Sequence, residues 1–454
     1  MVSENFKNPL GIDSIGSLLK KLAIPAVIAN VVNALYNIVD QIFIGQGIGH
    51  LGNAATSIAF PVTTICMALG LMFGVGGASK FNLELGKGDI KSARKAGGTA
   101  ASSILIIGII LCIFIRIFLS PLLVFFGATD SILSLAKTYT GITSLGIPFL
   151  LFATSMNPLV RADGSSRYSM MAVIAGAVLN TILDPIFIFT FNWGMAGAAW
   201  ATIIGQGVSA IILMVYFKDF KSVKFKKADF RPEFKMIKDV CALGMATFIF
   251  QFSNLIVQII TNNSLKYYGG ISIYGSDIPI AVAGVIARIN VIFVAVIIGV
   301  VQGSQPISSF NYGAKLYERV REVIRLSIKI VVVVGILFWA LFEAVPTQIL
   351  SAFGEGNHLY FQFGVLYMRI FFALSFLNGV QIYSSTFFTS IGKAKVGAMI
   401  SLFKQLMLIA PLLIILPKII GIIGLAYALP IADGISFVVA AYLLFRQYKS
   451  SQTH

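Results

Sequence analysis

Long apolar runs alternate with short polar, glycine-rich segments along the whole chain. Each run has about twenty residues or more, the length that an α-helix needs to cross the hydrocarbon core of a bilayer. Segments such as "ELGKGDIKSARKAGG" and "RADGSSR" separate the runs. The pattern predicts an all-α polytopic membrane protein with twelve spans over residues 18–44, 54–80, 96–120, 133–160, 168–190, 195–217, 238–265, 278–308, 322–345, 360–390, 396–416 and 421–445.

The second half of the chain repeats the pattern of the first. "GMAGAAWATIIGQG" (194–207) matches "GIIGLAYALPIADG" (421–434), and Gly207 and Gly434 are 227 positions apart, half of the 454 residues. We therefore predict a six-helix N-terminal lobe over 1–217, a basic linker over 218–237 and a six-helix C-terminal lobe over 238–454. A pseudo-two-fold axis normal to the membrane would relate the lobes. Such repeats are typical of transporters that work by alternating access.

The composition supports a membrane protein, and the distribution of charge predicts the side of the membrane on which each loop lies. Hydrophobic residues make up 57% of the chain and charged residues 11%, against roughly 25% charged residues in soluble domains. The net charge is +16, but most of the 34 lysines and arginines lie near the two termini and in the loops after even-numbered spans. This asymmetry predicts that both termini are cytoplasmic. It also accounts for the charge without a nucleic-acid partner.

Two acids lie inside predicted spans of the N-terminal half. Asp40 ends "NVVNALYNIVDQIF" in span 1, where Tyr36 and Asn33 share its helix face and Asn37 lies beside that face. An ionisable group at membrane depth costs about 2.5–3.5 kcal/mol on insertion scales, so it is a functional hypothesis by default. The second acid is Asp184, in "LNTILDPIFIF" of span 5.

The surroundings of these acids predict a cation site. Asn180 precedes Asp184 by one helical turn, and Thr202 lies in span 6. Asp40, Asn180, Asp184 and Thr202 would offer several oxygens to one cavity in the N-terminal lobe. The two carboxylates would share a proton, or the four residues would hold Na⁺. The alternative is that each acid only bonds a neighbouring helix. We expect H⁺ or Na⁺ as the coupling ion and no cofactor.

Other polar side chains within spans predict a wider cavity and a moving helix. The possible additional cavity residues are Asn157 and Gln206, together with Tyr36, Asn33 and Asn37. One face of span 7 predicts a substrate wall formed by Gln251, Asn254 and Gln258. Interhelical hydrogen bonding would explain the same pattern. Pro25 in span 1 predicts a kink, which is either a hinge or static.

Four segments carry a family resemblance: "AIPAVIANVVNALYNIVDQIFIG", "RADGSSRYSMMAVIAGAVLNTILDPIFIF", "GMAGAAWAT" and "QGSQPISSFNYGAK". With them the chain resembles the multidrug and toxic compound extrusion (MATE) family over essentially its whole length. It looks most like the bacterial branch with an acid pair in the N-terminal lobe. The resemblance implies a V-shaped pair of lobes and drug export driven by inward H⁺ or Na⁺ movement. It also implies a cation site at Asp40, Asn180, Asp184 and Thr202.

The expected protein is a secondary multidrug antiporter rather than an enzyme. It would export organic cations and other amphipathic drugs as a monomer among membrane lipids. Its location would be the cytoplasmic membrane of a bacterium or an archaeon. A lipid-linked oligosaccharide flippase of related fold is the alternative, because Arg288, Arg369 and Lys404 lie within spans and suit a pyrophosphate. The three histidines show no metal-ligand or nucleophile pattern that would favour an intramembrane enzyme.

Overall fold

Twelve membrane-spanning helices form the described part of the chain, as the sequence predicts. The structure, a computed structural model, describes residues 8–275, 277–352 and 358–450. In chain order, spans 1 to 9 are Ile15–Ile48, His50–Gly86, Ile90–Ile117, Asp130–Ala162, Ser166–Thr190, Gly194–Val215, Phe234–Gly270, Asp277–Gly313 and Tyr317–Ala344. Span 10 is His358–Phe372 with Ser375–Ser390, span 11 is Ala394–Leu402, Phe403–Ile409 and Ala410–Ile420, and span 12 is Gly424–Ser450. Short helices at Pro9–Ile12, Leu119–Phe125 and Pro346–Ser351 lie between or before the spans.

Spans 11 and 12 belong to one helical run that folds back on itself. The run Ala394–Lys449 has 56 residues, and a straight helix of that length would measure roughly 84 Å. It turns instead at Gly421, whose φ of 68° is a conformation that glycine adopts without steric cost. Lys404 Nζ and Asp433 Oδ1 then meet 2.7 Å apart across the hairpin. The run therefore crosses the membrane twice.

Several helices extend beyond the predicted apolar runs. Span 1 is Ile15–Ile48 instead of 18–44, and span 7 begins at Phe234 instead of 238. The added turns contain glycine and polar residues, so hydropathy does not detect them. Their backbone hydrogen bonds continue the helix into the interfacial layer, where it is no longer surrounded by hydrocarbon.

Irregular turns interrupt spans 4, 5 and 11. A 3₁₀ turn at Ser144–Gly146 divides span 4, and π-helical turns occupy Ile186–Thr190 in span 5 and Phe403–Ile409 in span 11. The turn in span 5 follows Pro185 directly, and proline cannot donate the next helical hydrogen bond. Such π-turns are frequent at functional sites. Span 10 is also bent, by 43° between Phe372 and Ser375.

The two lobes touch mainly in the half of the bundle where span 1 begins and span 12 ends, which we call the basic end. Here glycines bring backbones together: a Cβ on Gly244 of span 7 would lie 1.8 Å from the carbonyl oxygen of Met72 in span 2. Span 8 packs against span 1 in the same way at Gly299 and Gly303.

At the other end of the bundle the lobes separate into a V. Gln258 of span 7 and Arg288 of span 8 are exposed there. Polar and charged side chains within spans face water-filled cavities or other protein rather than lipid. We call the space between the lobes the cleft, and it opens away from the basic end.

Candidate functional site

The two intramembrane acids of the N-terminal lobe come together. Asp40 of span 1 and Asp184 of span 5 lie within hydrogen-bonding reach of each other, and their exposed fractions are 7% and 0%. Oδ1 of Asp40 has no hydrogen-bond partner among the described residues. Two touching carboxylates that are removed from water cannot both stay charged without compensation. The pair therefore needs a shared proton or a bound cation.

Asn180 and Thr202 complete the predicted quartet. Asn180 is buried, and its amide nitrogen donates to Asp184 Oδ1 at 3.3 Å. In the rotated amide orientation, the nitrogen donates to Oδ2 at 3.2 Å and the oxygen accepts the Thr202 backbone N–H at 3.2 Å. This second orientation satisfies both ends of the amide. The Thr202 hydroxyl donates to the Ala198 carbonyl oxygen at 2.9 Å, so its lone pairs remain available to a cation.

Two further residues of the acid site escaped the sequence analysis. Tyr139, in the first half of span 4, lies beside Thr202 and both acids. Gln41 donates to Asp40 Oδ2 at 3.1 Å and accepts the Thr56 hydroxyl at 2.9 Å. Gln41 could have been found, because it adjoins Asp40 in the sequence. Tyr139 has no such signal, since tyrosines are common in membrane helices for their amphipathic rings alone.

Of the remaining predicted residues of the N-terminal lobe, some lie near the acid pair and others lie away from it. Tyr36 lies beside both acids. Asn37 is exposed and donates to the backbone carbonyl of Asn33 at 2.6 Å. Gln206 approaches the break in span 4, where its Oε1 would lie 3.0 Å from a Cβ on Gly146.

Asn157 belongs to a separate buried cluster. It accepts the Ser169 hydroxyl at 2.8 Å, and Ser169 in turn accepts from Arg161 at 3.2 Å. Ser169 precedes Asn180 by three helical turns, roughly 16 Å along the axis of span 5. The structure therefore does not bring Asn157 to the acids. Its amide holds spans 4 and 5 together nearer the basic end.

The polar stripe of span 7, formed by Gln251, Asn254 and Gln258, also contains residues in different environments. Gln251 lines a cavity of about 90 Å³ at the apex of the cleft. Asn254 is bonded inside the C-terminal lobe, where its Oδ1 accepts from Gln405 at 3.0 Å. Gln258 is exposed in the open part of the cleft. The predicted wall thus contains two cleft residues and one interhelical hydrogen bond.

Uncharged amides and hydroxyls form the polar lining of the apex cavity. Gln251, Gln302, Gln305 and Gln381 contribute to it, beside apolar side chains such as Phe250. Gln305 also donates across the lobes to the Ser79 hydroxyl at 3.0 Å. Gln302 likewise accepts from Asn30 at 3.0 Å. These amides offer donors and acceptors to a ligand, and they also join the lobes.

Pro25 is buried within span 1, and the helix continues through it from Ile15 to Ile48. The residues on either side, Ala23 and Val27, pack against Gly303 and Gly299 of span 8. The predicted hinge position therefore lies inside the contact between the lobes.

The three intramembrane cations occupy different environments. Lys404 pairs with Asp433 inside the C-terminal lobe, and Arg369 Nε lies 3.4 Å from Glu343 Oε2. Arg288 has no carboxylate within 4.0 Å among the residues that the structure describes. It lies three turns from Gly299 on the same face of span 8, so it points toward the cleft.

Comparisons with known proteins agree on one family. The MatE family model matches residues 25–186 and 243–415. Multidrug export protein MepA of Staphylococcus aureus is 25% identical over 429 residues, which cover 93% of this chain and 92% of that protein. A solved structure of the MATE multidrug transporter DinF-BH is 36% identical, with a TM-score of 0.88 over 96% of both chains. A crystal structure of MATE in the straight conformation has a TM-score of 0.91 at 23% identity and covers 98% of this chain and 99% of its own. This last likeness shows the fold alone.

Proposed function

Because the chain belongs to the MatE family of multidrug and toxic compound extrusion transporters, we propose that it exports amphipathic and cationic drugs in exchange for H⁺ or Na⁺. Its relatives are transporters, so the protein is a transporter and not an enzyme. Drug export is supported by the multidrug activity in the names of its relatives, MepA and DinF-BH. The single observation that carries ion coupling is the contact between the buried Asp40 and Asp184 carboxylates.

Coupling follows from the charge of this acid pair. With both acids ionised the pair is unstable in its buried position, and a proton or Na⁺ removes the repulsion. The ion must bind one conformation of the lobes better than the other, because only a differential affinity shifts a conformational equilibrium. Asn180, Thr202 and Tyr139 surround the pair with oxygens and donors that make the site responsive to the occupying ion.

The direction of transport follows from the basic end. Most lysines and arginines of the loops lie there, which favours a cytoplasmic location for this end and for both termini. The cleft in this structure then opens to the outside of the cytoplasmic membrane. We propose that the drug leaves from this state, that the ion enters through the same cleft, and that the monomer then closes.

Ethidium transport by purified protein in lipid vesicles tests the proposal. A pH gradient or a sodium gradient is applied alone, and wild type is compared with Asp40→Asn and Asp184→Asn. The matched control is Asp130→Asn, which neutralises an exposed acid at the start of span 4. We expect at least a tenfold loss of ion-driven transport in the first two variants and none in the control. Ethidium transport by Asp40→Asn at the wild-type rate along either gradient would contradict the coupling proposal.

A lipid-linked oligosaccharide flippase remains a second candidate because of Arg288. Its guanidinium faces the cleft, and an exposed cation there would suit a pyrophosphate. Lys404 and Arg369 support this function less, since each already pairs with an acid. Flipping of a fluorescent pyrophosphate-linked lipid that is abolished in Arg288→Gln, while ethidium transport is unchanged, would favour the flippase.

A further inference from the structure

The C-terminal lobe holds an ammonium group of span 11 in a cage of oxygens from spans 10 and 12. Lys404 Nζ of span 11 lies 2.7 Å from Asp433 Oδ1 of span 12 and donates to Asn378 Oδ1 of span 10 at 2.6 Å. The exposed fractions are 2% for Lys404, 1% for Asp433 and 8% for Asn378. The pair is therefore removed from water on all sides.

The cage lies in the helix pair that repeats the pair carrying Asp184 and Thr202 in the other lobe. Spans 11 and 12 repeat spans 5 and 6, and the match of Gly434 to Gly207 aligns Asp433 with Gln206. Lys404 lies in the π-turn of span 11, and the π-turn of span 5 begins two residues after Asp184. The two equivalent helix pairs thus each carry buried ionisable groups and a π-turn, but the π-turns lie at different positions of the repeat, because the offset of 227 aligns 403–409 with 176–182.

The two sites differ in how their charge is balanced. In the N-terminal lobe, no lysine or arginine lies within 4.0 Å of Asp40 or Asp184 among the described residues. Their negative charge must be balanced by something that the protein takes up. In the C-terminal lobe, the acid is balanced by a side chain of the protein itself.

We propose that the Lys404 ammonium is a tethered cation that fills a cation site of the C-terminal lobe, and that Asp433 and Asn378 are its ligands. The oxygens that contact Nζ are of the kind that a small monovalent cation or a proton would use. Tethering gives the ammonium a high effective concentration at the site, so free ions do not compete with it. The C-terminal lobe therefore keeps a constant charge, and coupling ions load only at Asp40 and Asp184. The role in coupling rests on the proposed function, whereas the latent site at Asp433 does not.

Removing the tether should uncover the site. In Lys404→Met, the long side chain keeps most of its volume, but Asp433 loses its counter-charge and must bind a proton or a cation to remain buried. In the double variant Lys404→Met/Asp433→Asn, the need for a counter-charge disappears. In Lys404→Arg, a tethered cation remains. A purely structural ion pair predicts loss of stability in Lys404→Met under all ionic conditions.

Thermal unfolding of the full chain in detergent measures this without any transport step. Each variant is made in an Asp40→Asn/Asp184→Asn background, so that the N-terminal site is silent. One arm replaces choline chloride with NaCl at constant ionic strength, and the other lowers the pH from 8 to 5. We expect Lys404→Met alone to gain an ion-dependent rise in Tm. A ligand at 100 times its Kd increases the ratio of folded to unfolded protein about 100-fold. The arm that responds identifies the ion.

The background protein, Lys404→Arg and Lys404→Met/Asp433→Asn should show no such response. The proposal is overturned if Lys404→Met responds to neither arm, or if its response persists in the double variant. It is also overturned if Lys404→Met fails to fold in every condition while the double variant folds. If neither of these two folds, Asp433→Asn is measured in their place: the ammonium needs its acid ligand, so an Asp433→Asn protein as stable as the background overturns the proposal. Because the assay reads binding, these outcomes stand whether or not Asp40→Asn alters drug transport.

Discussion

Replacing Gly244 with alanine should force the two lobes apart at the basic end. The added Cβ would lie 1.8 Å from the Met72 carbonyl oxygen and 2.6 Å from the Met72 carbonyl carbon. The facing position is almost as close, because a Cβ on Gly76 would lie 2.0 Å from the Val240 oxygen. Both obstacles are backbone atoms of helices, so no side-chain rotation can relieve the clash. Spans 2 and 7 must separate instead.

The size of the effect follows from the geometry. Overpacking of a tight interface costs typically about 1–3 kcal/mol, and about 1.4 kcal/mol corresponds to a tenfold change in an equilibrium. The state seen here should therefore become about 5-fold to 150-fold less populated relative to a state with the basic end open. The higher helix propensity of alanine, worth about 1 kcal/mol, applies in both states and does not change their ratio.

Pulsed electron-electron resonance between spin labels measures the shift. Labels are attached to cysteines at the exposed Lys91 and Lys395 positions, one on each lobe at the basic end, after Cys66, Cys112 and Cys241 have been replaced. We expect Gly244→Ala to move population to longer distances.

The matched control is Gly207→Ala in span 6, where an added Cβ meets no atom of the described residues within 4 Å. It makes the same chemical change without touching the other lobe. A distance distribution that is unchanged in Gly244→Ala, or changed as much in Gly207→Ala, would show that this backbone contact does not hold the lobes together.

Two other substitutions test the acid site and the linker. Tyr139→Phe removes the hydroxyl that lies beside Thr202 and both acids, so the ion concentration for half-maximal transport should rise severalfold, while Tyr442→Phe at an exposed position should have no effect. Asp163→Ala leaves the Lys221 and Ser222 N–H groups without their acceptor, and the Tyr216 hydroxyl keeps only Ser165 Oγ. Each bond to a charged group is worth about 1.5–3 kcal/mol, so Tm should fall by several degrees, and an unchanged Tm would show that water replaces the carboxylate.

The sequence predicted best what the membrane itself dictates. Spans and the two buried acids stand out because lipid tolerates neither polar backbone nor unpaired charge. The repeat also located the turns: Gly164 and Gly392 have φ of 78° and 88°, and Gly194 and Gly421 have 51° and 68°. Equivalent positions of the two lobes thus share the left-handed conformation that favours glycine.

What the sequence could not predict depends on the direction of single side chains. Asn157 and Asn180 are both amides in spans next to polar neighbours, yet one holds two helices together and the other bonds Asp184. Periodicity places a residue on a helix face, but whether that face meets another helix or a cavity depends on packing. The same limit hid Tyr139 and divided the stripe of span 7.

Span 1 connects the acid site to the contact between the lobes. It carries Asp40 near one end, and Ala23 and Val27 pack against span 8 nearer the other, so the two regions are about 20 Å apart on one continuous helix. Pro25 lies between the two contact residues. Because glycines leave no space in this contact, a bend at Pro25 cannot occur without moving span 8. We therefore expect ion loading at Asp40 to act on the lobes by changing the bend of span 1. Pro25→Ala should then reduce drug transport driven by an ion gradient, while the affinity of the acid site for the ion is retained.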